Sequence, residues 1–390
     1  MKKKTIAILG STGSIGQSAL DIIKKTNEFK VELIFANKNY YKIIKQIEVF
    51  NPKVVIINNK KVFLKIKTKY KNKNIVFLND TINVCKHIKK VDITVSAIPG
   101  IAGLEPTILF TKISKKILLA NKEAIICGWD LIKKNSIRYR TKIIPIDSEH
   151  FSIAMLLKSY SKNQIEKIYI TASGGPFLKL NRNKFNNIKP EEAIKHPKWN
   201  MGKKISVDSA TLMNKVLEIT EALKLFPFDL KKYEIIIHPE SLIHAIIKLK
   251  NGISLFLYHI PDMKIPIGNA LLDDFNFSKF FTQKNKNTNT IPNLNFVPVD
   301  KKKFPAVNLI PIMNSRKSSS IIINAANEIF VDEFLKKNLN FNDIARYLKL
   351  VLKNKSYIKT SNLPADSIKN IYIIDNWARK IALKIIKKKN

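Results

Sequence analysis

Short apolar runs recur through the first 147 residues: TIAILG, VELIFA, VVIIN, NIVFL, DITVSAI, KILLAN and KIIPID. Each has the continuous apolarity of a strand buried on both faces. Between them, segments such as 17–25 and 41–50 place apolar residues at helical spacing. Strands alternating with helices predict a parallel sheet covered on both sides, a Rossmann-like α/β domain over residues 1–147.

After Asp147 the texture changes. Residues 151–159 read as a helix, and KIYITAS reads as a strand that ends in Gly174-Gly175-Pro176. Residues 209–225 read as one helix stopping before Pro227, and 234–237, 242–249 and 254–258 as strands of a mixed sheet. This predicts a central α+β domain over 148–282. The polar, aliphatic-poor stretch QKNKNTNTIPNLN makes 283–305 a linker. From 306 to 390 helical periodicity dominates and predicts a C-terminal α-helical bundle, with 321–337, 341–352 and 367–388 its best helices. The final KKKN reads as a solvated tail.

With 390 residues, 45% of them hydrophobic, the chain can build two or three ordinary cores. No apolar run approaches the roughly 20 residues of a membrane span, so no membrane partner is expected. The basic start meets Gly10 after only five apolar-rich residues, Thr5 to Leu9, and reads as a first strand rather than a signal or transit peptide. Cys85 and Cys127 form no CxxC pair, which argues against a disulfide framework or thiolate metal site and fits a reducing cytoplasm. The net charge of +39 raises a nucleic-acid partner. Yet the lysines are spread over nearly every segment, alongside abundant Asn, Ile, Phe and Tyr. Those residues share AT-rich codons, so base bias is an alternative source of the charge beside selection for a polyanion. Salt-sensitive, nonspecific attraction to RNA is the expected residue of it, with no specific nucleic acid.

Several stretches carry chemistry. Gly10-Ser11-Thr12-Gly13-Ser14-Ile15-Gly16 follows the first strand with GxxGxxG spacing. Glycines there let the backbone approach a pyrophosphate at a helix N-terminus. The competing reading is a turn that merely packs helix on sheet. The second strand ends at Asn37-Lys38-Asn39 instead of the acidic residue that holds unphosphorylated ribose, which favours NADP over NAD. Asn121-Lys122-Glu123 ends another strand. Lys122 there suits orientation of a carbonyl or nicotinamide, while a plain helix start with Glu123 in its first turn fits equally.

In PIDSEH, Asp147 and Glu149 are two apart, and on a strand they share a face. Converging carboxylates repel unless a cation lies between them, and a divalent ion takes such oxygens. The alternative is a helix cap by Asp147 or Ser148. Ser173, before two glycines, offers an anion site or a simple turn. In ISVDSATLMNKVLE, Ser209 is a plausible N-cap, and Asn214, Lys215 and Glu218 share a helix face that is either functional or solvated. Glu218 is a candidate third carboxylate beside Asp147 and Glu149, and Lys215 with Ser209 a candidate phosphate site. His196-Pro-Lys-Trp199-Asn-Met201-Gly202 lacks periodicity and reads as a lid near 196–204 or a buried loop anchor.

In order along the chain, GSTGSIG, LANKEA, PIDSEH, ASGGPF, HPKWNMGKKISVDSATLMNK, IIIHPESLIHA, PDMKIPI, FPAVNL and NAANEIFVDEFL resemble the 1-deoxy-D-xylulose 5-phosphate reductoisomerase family of the non-mevalonate isoprenoid pathway. The resemblance implies NADPH, contacted by Thr12, Gly13, Ser14, Ile15, Asn37, Lys38, Asn39, Asn121, Glu123 and Gly202. It implies Mg²⁺ or Mn²⁺, with Co²⁺ as a further candidate, on Asp147, Glu149 and Glu218. It assigns substrate hydroxyls and carbonyl to Ser148, Asn214 and Lys215, and phosphate to Ser173, Ser209, Asn214 and Lys215. Glu149, Lys122 and His196 become catalytic and substrate-lining residues, with Lys122 between substrate and nicotinamide and Trp199 on the lid. It also implies a homodimer. The chain departs from the family at Asn37 and His259, where glycine is frequent. Two other readings compete: a basic RNA-binding protein on a Rossmann scaffold, and a semialdehyde-type dehydrogenase, which needs a nucleophilic cysteine that neither Cys85 nor Cys127 supplies by context.

Overall fold

The seven early apolar runs form one parallel sheet: β1 (Lys4–Leu9), β2 (Phe29–Ala36), β3 (Val54–Ile57), β4 (Val76–Leu78), β5 (Val91–Ser96), β6 (Ser114–Leu119) and β7 (Lys142–Pro145). Their order is β4-β3-β2-β1-β5-β6-β7, and every neighbouring pair is parallel. The winding reverses between β1 and β5, and ligand crevices of such sheets open there, beyond the strands' carboxyl ends. Ile6 to Leu9 in β1 and Val54 to Ile57 in β3 are apolar without interruption and fully buried, because both faces of the sheet are covered there.

This computed structural model describes residues 2–199, 201–281 and 293–388. The chain divides into two compact units. The first contains Met1–Ala124, Asp130–Phe151 and Asp262–Pro292, so residues 262–281 pack with the parallel sheet rather than with the central segment that precedes them. The helix Lys264–Leu271 lies on the helix Ser14–Lys24. Lys4 pairs with Asp273 at 2.8 Å, and Lys116 Nζ donates to the Ala270 carbonyl at 2.8 Å.

The second unit contains Ile125–Trp129, Ser152–Pro261 and Asn293–Asn390. Its sheet joins β8 (Ile165–Ala172), β9 (Tyr233–Ile237), β10 (Ile243–Leu249), β11 (Ser254–Tyr258) and β12 (Val297–Pro298) in the order β11-β10-β8-β9-β12. Only β8 and β9 run parallel. Ile168, Ile170, Ile219, Ile235, Ile247 and Phe304 meet in its core. Of the stretch read as a linker, 283–292 lies outside the described residues, while Val297–Pro298 pairs with β9. The C-terminal helices are Ser319–Leu335, Phe341–Leu352 and Ile368–Lys387, within two residues of their expected bounds. The last two residues of KKKN are outside the described range.

One helix differs from expectation. Residues 209–225 belong to two helices, Lys203–Ala210 and Met213–Leu225, divided at Leu212, whose φ is +58°. An apolar residue in the left-handed region is strained, and nothing in the apolar pattern signals the break. Ser209 therefore lies in the last turn of the first helix and is not an N-cap.

Candidate active site

The glycine turn joins β1 to the helix Ser14–Lys24. Gly10 has φ +86°, and a Cβ there would lie 2.5 Å from the Ala97 carbonyl oxygen. A Cβ on Gly16 would lie 2.4 Å from the Gly10 oxygen. Only glycine fits at both, because backbone blocks the space. Gly13 occupies the N-cap with no side-chain hydrogen bond to the helix's first N–H groups. Thr12 and Ile15 are half-buried, and Gly13 and Ser14 are exposed. Free N–H groups at an exposed helix start make an anion site. Asn37, Lys38 and Asn39 are exposed beyond the end of β2. Asn39 is partly structural: its side chain accepts from Lys42 N and caps the helix Tyr40–Phe50.

Asn121 is buried and caps the helix Lys122–Tyr139 through Ala124 N, while its amide donates to the carbonyls of Ile98 and Gly100. Glu123 sits in that helix's first turn, as the plainer reading had it, and is buried. Lys122 Nζ contacts Asp147 at 2.9 Å with both side chains largely buried. Asp147 and Glu149 do not share a strand. β7 ends at Pro145, and Asp147 immediately precedes the helix Ser148–Leu156. The carboxylates converge nonetheless, to within 4.8 Å, because Asp147 stands just before the helix, where a side chain folds back over the first turn that carries Glu149. Burial opposes ionisation of Asp147, but the Lys122 ammonium, His150 and a hydrogen bond with Glu149 hold its carboxyl well below the usual range. The Ser148 hydroxyl donates to Glu149.

In the second unit, Ser173 Oγ lies 2.9 Å from His196 Nε2 and accepts from Gly175 N at 3.1 Å. Gly174 and Gly175 have φ of +80° and +66°. A Cβ on Gly175 would lie 3.0 Å from Ser209 O and Ala210 Cα, so the missing side chain lets the Ser173 turn close on Ser209. His196 Nδ1 accepts the N–H groups of Lys198 and Trp199 at 3.1 and 2.9 Å. An acceptor at Nδ1 puts the proton of the neutral ring on Nε2, which donates to Ser173. Burial and then the Lys215 charge lower the His196 pKa from 6.5 to about 4.

Asn214, Lys215 and Glu218 are not a solvated face. The run from Met213 to Ala222 is buried on every side, Glu218 included. Lys215 Nζ reaches Glu218 Oε2 at 2.7 Å, and the Asn214 amide donates to Oε1. Leu212, Val216 and Ile219 pack inward as expected. Gly202 begins the helix Lys203–Ala210, where a Cβ would meet nothing within 4 Å. Of the expected lid, Asn200 lies outside the described residues.

Sequence reasoning gave no role to several buried groups. His150, fully buried, has a ring nitrogen within 4.8 Å of Asp147. Glu221 is fully buried three residues beyond Glu218. Asp208 is buried, with Lys204 at 3.0 Å and the Asn327 amide at 2.8 Å. The available signal was a charge at an otherwise apolar helical position.

A glycine turn at the switch point of a doubly wound sheet, together with buried clusters of carboxylate, lysine and hydroxyl, defines a dinucleotide-binding α/β oxidoreductase. Models of 1-deoxy-D-xylulose 5-phosphate reductoisomerase match residues 6–128, and models of its C-terminal domains match 143–226 and 259–381. The chain belongs to the 1-deoxy-D-xylulose 5-phosphate reductoisomerase family. It is 44% identical to the reductoisomerase of Pelagibacter ubique over 98% of both chains, and 38% identical to that of Clostridium tetani over 97% and 99%. A solved DOX-P reductoisomerase complexed with NADPH, fosmidomycin and magnesium superposes with a TM-score of 0.91, at 31% identity over 98% of each chain. The NADPH complex of the Zymomonas mobilis enzyme gives 0.87, at 31% identity over 99% of each.

Proposed function

We propose that this protein converts 1-deoxy-D-xylulose 5-phosphate to 2-C-methyl-D-erythritol 4-phosphate, using NADPH and a divalent metal. The observation that carries this reading is the buried Asn214-Lys215-Glu218 face. A fold that only bound nucleotide has no reason to bury an amide, an ammonium and a carboxylate together.

The residues suit the absent groups. Asp147, Glu149 and Glu218 are hard oxygen donors of the kind Mg²⁺ and Mn²⁺ take, and Asp147 is held ionised. The free N–H groups after Gly13 suit a pyrophosphate, and Lys38 a 2′-phosphate. When bound, the ion polarises carbonyl and hydroxyl oxygens, and the nicotinamide supplies hydride. The protein's own residues position. Ser173 and Ser209 receive phosphate where Gly175 lets them converge, and neutral His196 fixes the Ser173 hydroxyl. Lys215 and Asn214 address the substrate's oxygens, and Lys122 orients the carbonyl toward the nicotinamide. Glu149 with Ser148 holds the hydroxyl beside it. A cytoplasmic homodimer belongs to the same reading.

The test is oxidation of NADPH by the purified protein with 1-deoxy-D-xylulose 5-phosphate, with Mg²⁺ and again with EDTA. Metal-dependent oxidation is expected. A folded protein that binds NADPH yet oxidises none would overturn the substrate.

A further inference from the structure

His259 stands where the family often has glycine, and no role follows for it from the resemblance. In the structure it is buried and stacked on His244, with ring centroids 4.0 Å apart and planes 18° from parallel. Sheet register explains the pairing. His259 N donates to Leu242 O at 2.9 Å, extending the antiparallel ladder one step past the Ile243–Tyr258 pair. That step makes His259 the diagonal neighbour of His244 on the same face. His259 Nδ1 lies 2.8 Å from the Ile260 carbonyl oxygen, which can only accept, so the ring proton sits on Nδ1 and the ring is pinned at its base. Trp199 also meets His244 edge-to-face, with centroids 5.9 Å apart and planes at 69°. The Trp199 backbone is bound separately to His196. Trp199 is thus held twice, by its main chain at His196 and by its indole on an imidazole stack.

We propose that His259 is a positioning residue for Trp199: it fixes the His244 ring, and that ring seats the indole. The geometry stands by itself, while its consequence for turnover rests on the proposed function. With glycine at 259, His244 would lose the ring contact that His259 makes with it.

The test uses the full chain with Trp129 and Trp377 changed to Phe, so that Trp199 alone fluoresces. His259→Ala should make Trp199 at least about two-fold more accessible to acrylamide quenching. His259→Phe, which keeps a ring to stack, should restore the parent value. If the alanine variant folds poorly, His259→Asn keeps a donor for the Ile260 carbonyl and should behave as alanine does. KM for the ketose phosphate should rise several-fold in the alanine variant with kcat changed less. Quenching that stays at the parent value in both the alanine and asparagine variants overturns the proposal, even with normal turnover. Increased quenching that phenylalanine reverses, in a protein that does not turn over this substrate, upholds the anchor and removes the substrate instead.

Discussion

The glycine turn of the first unit and the buried helix Met213–Leu225 of the second both present groups suited to anions, by opposite means. At the turn the ligand-facing groups are backbone N–H, and side chains matter by being absent. On the helix the groups are side chains, and their charge is balanced internally before any ligand arrives, Lys215 against Glu218. The two should fail differently. An isosteric loss of charge should cripple the helix site and leave its shape, whereas one added methyl should cripple the turn without touching a charge.

The largest effect expected is from Glu218→Gln. The amide keeps the volume and removes the charge that pairs with Lys215 and that the proposed metal site draws on. Losing a metal's stabilisation of developing charge costs several kcal/mol, so turnover should fall roughly a thousand-fold or more. The far-UV spectrum should be unchanged. Retention of near-normal turnover would sink the assignment of Glu218 to the metal and remove the contrast at its stronger end.

Next comes Gly16→Ala. Its Cβ would sit 2.4 Å from Gly10 O and 2.7 Å from Ser11 Cα, both backbone, so the turn itself must shift. Overpacking of this kind costs about 1–3 kcal/mol, and NADPH affinity should fall with it, read by titration of cofactor fluorescence. Gly13→Ala sharpens the point. Its Cβ meets only Gly10 O at 3.3 Å, so its effect should be clearly smaller. Equal losses in the two variants would mean that space is not what the glycines provide.

The same contrast governs how much could be read from the sequence. The turn was legible because its requirements are local: strand, glycines at fixed spacing and helix follow one another in the chain. The parallel sheet was legible for the same reason, since Ile6 to Leu9 and Val54 to Ile57 are apolar without interruption. The helix site was not. Asn214, Lys215 and Glu218 at one-turn spacing describe a solvated face as well as a buried one, and burial is decided by what packs around them. The break at Leu212 was hidden because no glycine marks it. The convergence of Asp147 and Glu149 was anticipated on a shared strand, while the helix start that the structure shows was the competing reading of the same six residues. The resemblance to a family, carried by long unusual stretches, named these residues where physical pattern alone left them undecided.

A further variant tests the exposed end of the cofactor reading. Lys38→Ala should weaken NADPH by about ten-fold, the scale of one charge-assisted phosphate contact, and leave NADH unaffected. Equal weakening of both would place Lys38 away from the 2′-phosphate.

The smallest effect concerns His196, and its sign follows from the hydrogen bonds. Two N–H donors occupy Nδ1, so protonating that nitrogen breaks both. Burial and Lys215 lower the folded pKa to about 4, against 6.5 for an ordinary histidine. Between those values the unfolded chain binds more protons at this position than the folded one. His196 therefore contributes stability that is present above 6.5 and is lost as pH falls toward 4. Partial exposure of the ring allows solvent to screen the effect, so the change should be modest. Urea midpoints of the parent and of His196→Gln, compared across this range, isolate it, because every other titrating group cancels in the difference. The parent's midpoint should approach or fall below that of the glutamine variant as the solution is acidified. A difference independent of pH would show that the ring is not held neutral by its surroundings. Ser173 would then have to be oriented by the turn alone, in the manner of the first unit's glycines.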